Sequence, residues 1–152
     1  MLIFNRYKSC HVEEIDNRTV KVVSSMCDSF HEITVILMVS LPDGIIQEAR
    51  AEIVRLPDKI CQQTTELLTN LRGVTLGKGI IKNATRLIGG SSGCTHLVDL
   101  VVEAAKAFLQ GSFVIRFRNL SDFEEAKKMV GRDLAGTCLL HSQHGREDTS
   151  NT

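Results

Sequence analysis

The residues best suited to chemistry are Cys94 and His96, in the segment Ser91-Ser-Gly-Cys-Thr-His-Leu97. A cysteine at the beginning of a helix, after small residues that leave backbone amides accessible, is favoured as a thiolate by the helix dipole. In a regular helix these two side chains point about 200° apart, so they approach one ion only where the backbone is unwound around Cys94. The pattern predicts a reactive or metal-binding thiol, with a small buried hydrophobic cysteine as the alternative.

Cys61 is a second candidate thiol, in the first turn of another predicted helix and off its apolar stripe. If the two helices dock side by side on a sheet, Cys61, Cys94 and His96 supply two thiolates and an imidazole. Such a set suits zinc, iron or an iron–sulfur cluster. His31, preceded by Asp28, is a further candidate ligand from a loop at a strand end, and a surface loop histidine is the alternative.

Three glycines, Gly89, Gly90 and Gly93, give backbone freedom next to Cys94. Three cations follow one another at four-residue spacing: Lys78, Lys82 and Arg86. This spacing places them on one helical face. The face is either solvated, or it holds an anion and lowers the pKa of the Cys94 thiol, with Arg86 in a supporting role.

The elements that position these residues begin with β-branched and aromatic segments, which predict strands over Leu2–Tyr7, His11–Ile15 and Thr19–Met26. Asp16-Asn17 is a turn signal between the last two. A hairpin follows, with arms at Glu32–Ser40 and Ile45–Leu56 around Leu41-Pro-Asp-Gly44.

After Pro57 the apolar period changes to that of a helix. A helix of about four turns is predicted from Asp58 to Gly73, with its stripe at Ile60, Thr64, Leu67 and Leu71. The other predicted elements are a short helix at Lys78–Leu87, a long helix at Cys94–Gln110 capped by Gly111, a strand-like segment at Phe113–Arg118, and a helix from Ser121 to about Gly131.

Strands first and helices second predict an α+β fold, in which helices pack on one face of a largely antiparallel sheet. We expect a single domain over residues 1–140, the length of one core. Residues 141–152 contain no apolar side chain and are predicted to be a polar, disordered tail.

Composition narrows the function classes. Eighteen basic and eighteen acidic residues give zero net charge, which disfavours general nucleic-acid binding. The apolar runs are too short to cross a membrane, and the N-terminus lacks a secretory pattern, so we expect a cytoplasmic protein. An odd number of cysteines, five, predicts free thiols. A protein partner or a homo-oligomer stays open.

The chain resembles a bacterial family of proteins of unknown function, DUF2889, whose hallmark is G-C-T-H-L, here Gly93–Leu97. The resemblance also rests on Asp43-Gly-Ile-Ile-Gln-Glu-Ala-Arg, Leu71-Arg-Gly73 and the upstream Asp28 and His31, and it runs from about Arg6 to Gln110. It implies no activity.

The chain is more distantly similar to the SufE/NifU-like fold of iron–sulfur scaffolds and sulfur acceptors. In that resemblance Cys61 and Cys94 stand for two of the scaffold cysteines. The usual G-C-G-x-A after the hairpin is replaced by Lys59-Ile-Cys61-Gln, and the middle cysteine has no counterpart. The leading hypothesis is therefore a metal-binding or sulfur-handling domain.

Two other classes stay open. One is an acyl- or thiol-transfer enzyme with Cys94 as nucleophile and His31 or His96 as its base. The other is a non-catalytic interaction module, in which these residues only pack.

Overall fold

The structure is a computed structural model that describes residues 1–118, 120 and 122–142. Four strands come first: β1 (Arg6–Asp16), β2 (Thr19–Asp28), β3 (Glu32–Ser40) and β4 (Ile46–Arg55). They are followed by a 3-10 helix (Lys59–Leu71) and three α-helices, α1 (Ile80–Ile88), α2 (Thr95–Phe117) and α3 (Phe123–Asp133). Contacts divide the chain into two compact units, Met1–Gln110 and Gly111–Thr152. A single domain over residues 1–140 stays a prediction.

The strands form one antiparallel sheet in the order β1-β2-β3-β4. Because side chains alternate between the faces of a strand, every second residue of the two central strands is buried. These residues are Val20, Val22, Ser24, Met26 and Asp28 in β2, and Ile33, Val35, Leu37 and Val39 in β3. The buried face carries the helices of the first unit, which confirms the predicted α+β class.

Helix α2 lies along β1 and β2. Three side chains of β1 that share the covered face meet α2 in step, in the pairs Arg6–His96, Lys8–Asp99 and Cys10–Glu103. The strand and the helix therefore run in the same direction. Beside them the buried Ser24 donates its hydroxyl proton to the Leu100 carbonyl at 2.8 Å, which satisfies a polar group inside the core.

The first strand differs from the prediction. Two strands, Leu2–Tyr7 and His11–Ile15, were predicted, whereas β1 is a single strand that begins at Arg6. Arg6 is paired with Asp28, the last residue of β2, so the residues before Arg6 have no neighbouring strand to pair with. The predicted turn at Asp16-Asn17 is confirmed, and the Asp16 carboxylate accepts from the Arg18 amide at 2.8 Å.

The segment after Asp58 is a 3-10 helix, where an ordinary helix was predicted. Its only fully buried side chains, Leu68 and Leu71, are three residues apart, which is the period at which side chains align in a 3-10 helix. Three threonine hydroxyls donate to the carbonyl three residues earlier, from Thr64, Thr65 and Thr69. Ile60, predicted on the apolar stripe, is 66% exposed.

The predictions of α1 and of the beginning of α2 are confirmed, but the predicted end of α2 is wrong. Gly111 does not cap α2, and Phe113–Arg118 is not a strand, because α2 continues to Phe117. Phe113 and Phe117, one turn apart, stack with ring centroids 6.0 Å apart and support the last turn.

Helix α3 begins at Phe123, with the Asp122 carboxylate accepting from the Glu124 amide, and ends at Asp133, two residues past the predicted end at about Gly131. The predicted cap Ser121 lies outside the described residues. So does the predicted tail, apart from His141 and Ser142. None of the described helices is both long enough and apolar enough to cross a bilayer.

The turn before β4 generates a stability prediction. Gly44 has a φ of +67°, and a Cβ there would lie 3.0 Å from Phe108 Cε1. A left-handed backbone conformation costs an L residue about 1–2 kcal/mol. We expect Gly44→Ala to lower the free energy of unfolding by more than this amount. Gly73→Ala has a positive φ but no neighbour within 4 Å, so it pays the backbone cost alone. Urea unfolding compares the two, and equal losses would contradict the role of Phe108.

Candidate functional site

The site is built around the carboxylate of Asp28, whose side chain is fully buried at the end of β2. The chain turns back immediately after it, so the amides of Phe30 and His31 both donate to Oδ1 at 2.7 Å. The register of β1 against β2 places Arg6 directly opposite, and Arg6 Nε donates to Oδ2 at 2.8 Å.

These partners determine the charge of Asp28. Burial by itself raises the pKa of a carboxyl, because it removes water from the charged form. Here the amides of Phe30 and His31, followed by the side chains of Arg6 and His31, outweigh burial and hold the pKa of Asp28 well below its usual range. The carboxylate is therefore charged at every physiological pH.

The charge on Asp28 fixes the tautomer of His31. His31 Nδ1 lies 3.2 Å from Asp28 Oδ1. A charged carboxylate only accepts hydrogen bonds, so Nδ1 carries a proton and donates it. Neutral His31 then has its lone pair on Nε2, the atom at which it can take up a further proton.

The ring of His96, on the first turn of α2, lies against that of His31, with centroids 4.0 Å apart and planes tilted by 48°. His96 Nε2 is 3.4 Å from Arg6 Nη2. Because a guanidinium has no acceptor, this nitrogen of His96 is the acceptor and the ring is neutral.

The surroundings favour that neutral state. Burial lowers the pKa of His96, and the charges on His31 and Arg6 lower it further, while Asp28 and Asp99 oppose them. The two imidazoles are therefore in different electrostatic situations, one held by an anion and the other held next to a cation.

Arg55, at the end of β4, closes the cluster from the other side. It donates to the backbone carbonyl of Asp28 and to Glu32 Oε2, the latter at 2.7 Å. Its second contact with β2 is the Cys27 sulfur at 3.8 Å. The end of the sheet is thus tied across β2, β3 and β4.

The sequence patterns singled out Asp28, His31 and His96 but not Arg6. The signal was present, since residues paired across a hairpin that turns near Asn17 lie at equal distances from it in sequence, and Arg6 and Asp28 do so. In that register β1 extends back to Arg6, directly opposite Asp28.

Cys94 lies just before α2, and its amide donates to the Ile88 carbonyl at 2.9 Å. The amide of Cys94 is therefore engaged by the end of α1. The glycines beside it permit this approach, because a Cβ on Gly93 would lie 2.2 Å from the Ile88 carbonyl oxygen, and one on Gly89 would lie 2.7 Å from the Thr85 carbonyl oxygen. Gly90 has a φ of +74°.

The structure does not assemble the predicted metal ligands. Cys61 is half-buried in the 3-10 helix and Cys94 is half-buried before α2. Among residues 1–118, 120 and 122–142, no three His, Cys, Asp or Glu side chains are close enough to hold a metal ion. Of the predicted set, His31 and His96 are brought into contact. Arg86 is exposed in the last turn of α1.

The lowered pKa of His96 predicts how stability depends on pH. An unfolded chain protonates this histidine near pH 6.5, before the folded chain does, so the free energy of unfolding falls as pH drops below that value. We expect His96→Gln to reduce this loss between about pH 7.5 and 5. Asp28 does not contribute in that window, since its unfolded pKa is 3.8 and its folded pKa is lower.

Urea unfolding at several pH values measures the effect, with His11→Gln as the matched control, because His11 is an exposed histidine of β1 paired with Glu13. Identical pH slopes for wild type and His96→Gln would show that burial does not disfavour the charged form of His96.

The approach of α1 to α2 gives a second prediction. Gly93→Ala places a Cβ among backbone atoms that cannot rotate away, so we expect displacement of the α1–α2 loop and a loss of stability larger than that of Gly90→Ala. Gly90 has a positive φ but no neighbour within 4 Å, so its substitution costs backbone strain alone, about 1–2 kcal/mol. Thermal unfolding ranks the two, and a milder Gly93→Ala would contradict the close approach.

Comparison with known proteins gives one match. No curated protein and no solved structure matches the chain, so similarity to the SufE/NifU-like fold is not supported. A family model described as "Protein of unknown function (DUF2889)" matches residues 10–110, which include Asp28, His31 and His96 and leave Arg6 outside. Because this match spans more than half of the chain, the protein belongs to the DUF2889 family.

Proposed function

We propose that the first unit is a catalytic domain in which Asp28 and His31 form an acid–base dyad for acyl transfer or hydrolysis. The observation that carries the proposal is the 3.2 Å contact between His31 Nδ1 and a buried, charged carboxylate. This contact orients the ring, leaves Nε2 as the basic atom and stabilises the imidazolium that forms when Nε2 takes a proton.

The reaction balances within this group. His31 Nε2 removes a proton from water, or from the hydroxyl or thiol of an acceptor, as its oxygen or sulfur attacks a substrate carbonyl. The C–O or C–S bond to the leaving group breaks in the following step, and the same proton passes from His31 to that group. His31 ends neutral, and no external oxidant or reductant is needed.

His96 and Arg6 suit two supporting roles. His96 accepts from Arg6 through Nε2, so its Nδ1 carries a proton that it can donate. Arg6 brings a permanent positive charge beside the His96 ring, which stabilises negative charge that develops on a substrate oxygen. His96 thus offers a hydrogen-bond donor next to a fixed cation, whereas His31 offers a basic nitrogen and is oriented by an anion, so the two histidines serve different steps.

Metal or sulfur handling through Cys61, Cys94 and His96 is supported less well. It needs at least three ligands in one place, and the described residues contain no such group. Cys94 as the nucleophile, with His31 or His96 as its base, is a variant of the same enzyme class.

The proposal is tested with p-nitrophenyl acetate, a carbonyl ester that reports on a basic imidazole. We expect wild type to hydrolyse this ester and His31→Gln to reduce the rate at least about tenfold, because the variant lacks the basic imidazole. In this variant Asp28 keeps its other partners, the backbone amides of residues 30 and 31 and the side chain of Arg6. His11→Gln is the matched control, because His11 is also close to a carboxylate, at 3.1 Å from Glu13 Oε1, but lies exposed outside the cluster.

Three results would contradict the dyad. One is a His31→Gln rate equal to that of His11→Gln with circular dichroism showing both folded. Another is loss of hydrolysis in Cys94→Ala alone, which would assign the reaction to the thiol. The third is near-stoichiometric zinc or iron in purified protein that disappears in Cys94→Ser, which would favour the metal hypothesis.

A further inference from the structure

The outward face of α1 has an unusual composition. Ile81, Lys82, Thr85 and Arg86 are exposed, while Ile80, Ala84 and Ile88 are buried. Lys78, two residues before the helix, is also exposed. We name the basic face as Lys78, Lys82 and Arg86 together with Ile81 between them.

Charge is segregated onto this part of the first unit. Residues 1–110 contain twelve basic and twelve acidic side chains, yet no acidic one lies between Glu66 and Asp99. Four basic residues lie in that interval, namely the three of the basic face and Arg72. The rest of the unit therefore carries four more acidic than basic residues, although the unit as a whole is neutral.

The cations of the basic face differ in their pairing from most other cations of the first unit. Most other cations of the first unit are paired with carboxylates: Arg6 with Asp28, Lys8 with Asp99, Lys21 with Glu13, Arg50 with Glu52, Arg55 with Glu32, and Lys106 with Glu103. Within the part of the chain that the structure describes, Lys78, Lys82 and Arg86 form no ion pair. Their charge is available to another molecule.

The face rests on a packed helix and contains one apolar side chain. Buried Ile80, Ala84 and Ile88 anchor α1 from below, so Lys82 and Arg86 stand on a packed helix, and Lys78 lies in the turn before it. Ile81 is 63% exposed between Lys78 and Lys82. An exposed apolar residue next to a basic one can add an apolar contact to the electrostatic attraction of a partner.

We propose that the basic face docks an acidic helical segment of a partner protein. Lys82 and Arg86 are one helical turn apart, a separation of about 6 Å that carboxylates at i and i+4 of a facing helix match. The single apolar side chain is too little to hold a helix in a lipid interface. The face has no aromatic residue on which a nucleic-acid base could stack.

The probe is a synthetic helical peptide with glutamates at i and i+4 and one leucine on the same face, compared with a glutamate-only peptide. Isothermal titration at low salt, with NMR to locate the shifts, measures binding to the full chain. We expect the leucine peptide to bind at least about tenfold more tightly, with shifts confined to residues 78–86, and to weaken as salt is added. Ile81→Ser should remove the difference between the peptides.

The charge test uses the double variant Lys82→Glu/Arg86→Glu, which should abolish binding. Lys127→Glu/Lys128→Glu is the matched control, since both lysines are exposed on α3 and the net charge changes equally. Three outcomes would overturn the proposal. One is an equal loss of peptide binding in the control variant, and another is tighter binding of duplex DNA or of phosphatidylserine vesicles than of the leucine peptide. The third is no binding to any of these anions. None of these outcomes bears on the Asp28–His31 dyad, which involves other residues.

Discussion

The burial of one charged carboxylate, that of Asp28, constrains this end of the first unit. A buried carboxylate is costly unless hydrogen bonds and opposite charge compensate it. Its side chain takes those partners from the beginning of β1 through Arg6 and from the turn into β3 through two amides and His31. Its carbonyl is bonded by Arg55 of β4. The carboxylate therefore fixes where β1 begins and how the chain turns, and this gives His31 its position.

The same carboxylate makes two neighbouring histidines chemically different. His31 faces the anion and His96 faces Arg6, the cation that neutralises it, although their ring centroids are only 4.0 Å apart. Two imidazoles in one environment would compete for one proton. Here the hydrogen bonds fix which nitrogen of each ring is basic, and the separation of roles comes from the strand register rather than from either histidine alone.

The sheet was predictable because its signals are local. Alternating β-branched residues and the turns at Asp16-Asn17 and Pro42-Asp-Gly44 are sufficient to predict an antiparallel meander. The 3-10 helix was not predictable in this way. A few apolar residues spaced by three or four fit either helix type, and burial against β4 decides between the two types. The site was only partly predictable. Asp28 and His31 are close in sequence, so their proximity is a local property. The position of Arg6 depends on the strand register, and the distance between Cys61 and Cys94 depends on how two helices dock.

Gly89–Gly93 connects the two surfaces to which we assign functions. The loop joins α1, with its basic face, to α2, with His96, and the amide of Cys94 is bonded to the last turn of α1. Because a Cβ at Gly93 would overlap the Ile88 carbonyl, the two helix ends touch with no space for adjustment. This explains why the segment around Gly93-Cys-Thr-His96 needs small residues for packing, whether or not Cys94 reacts.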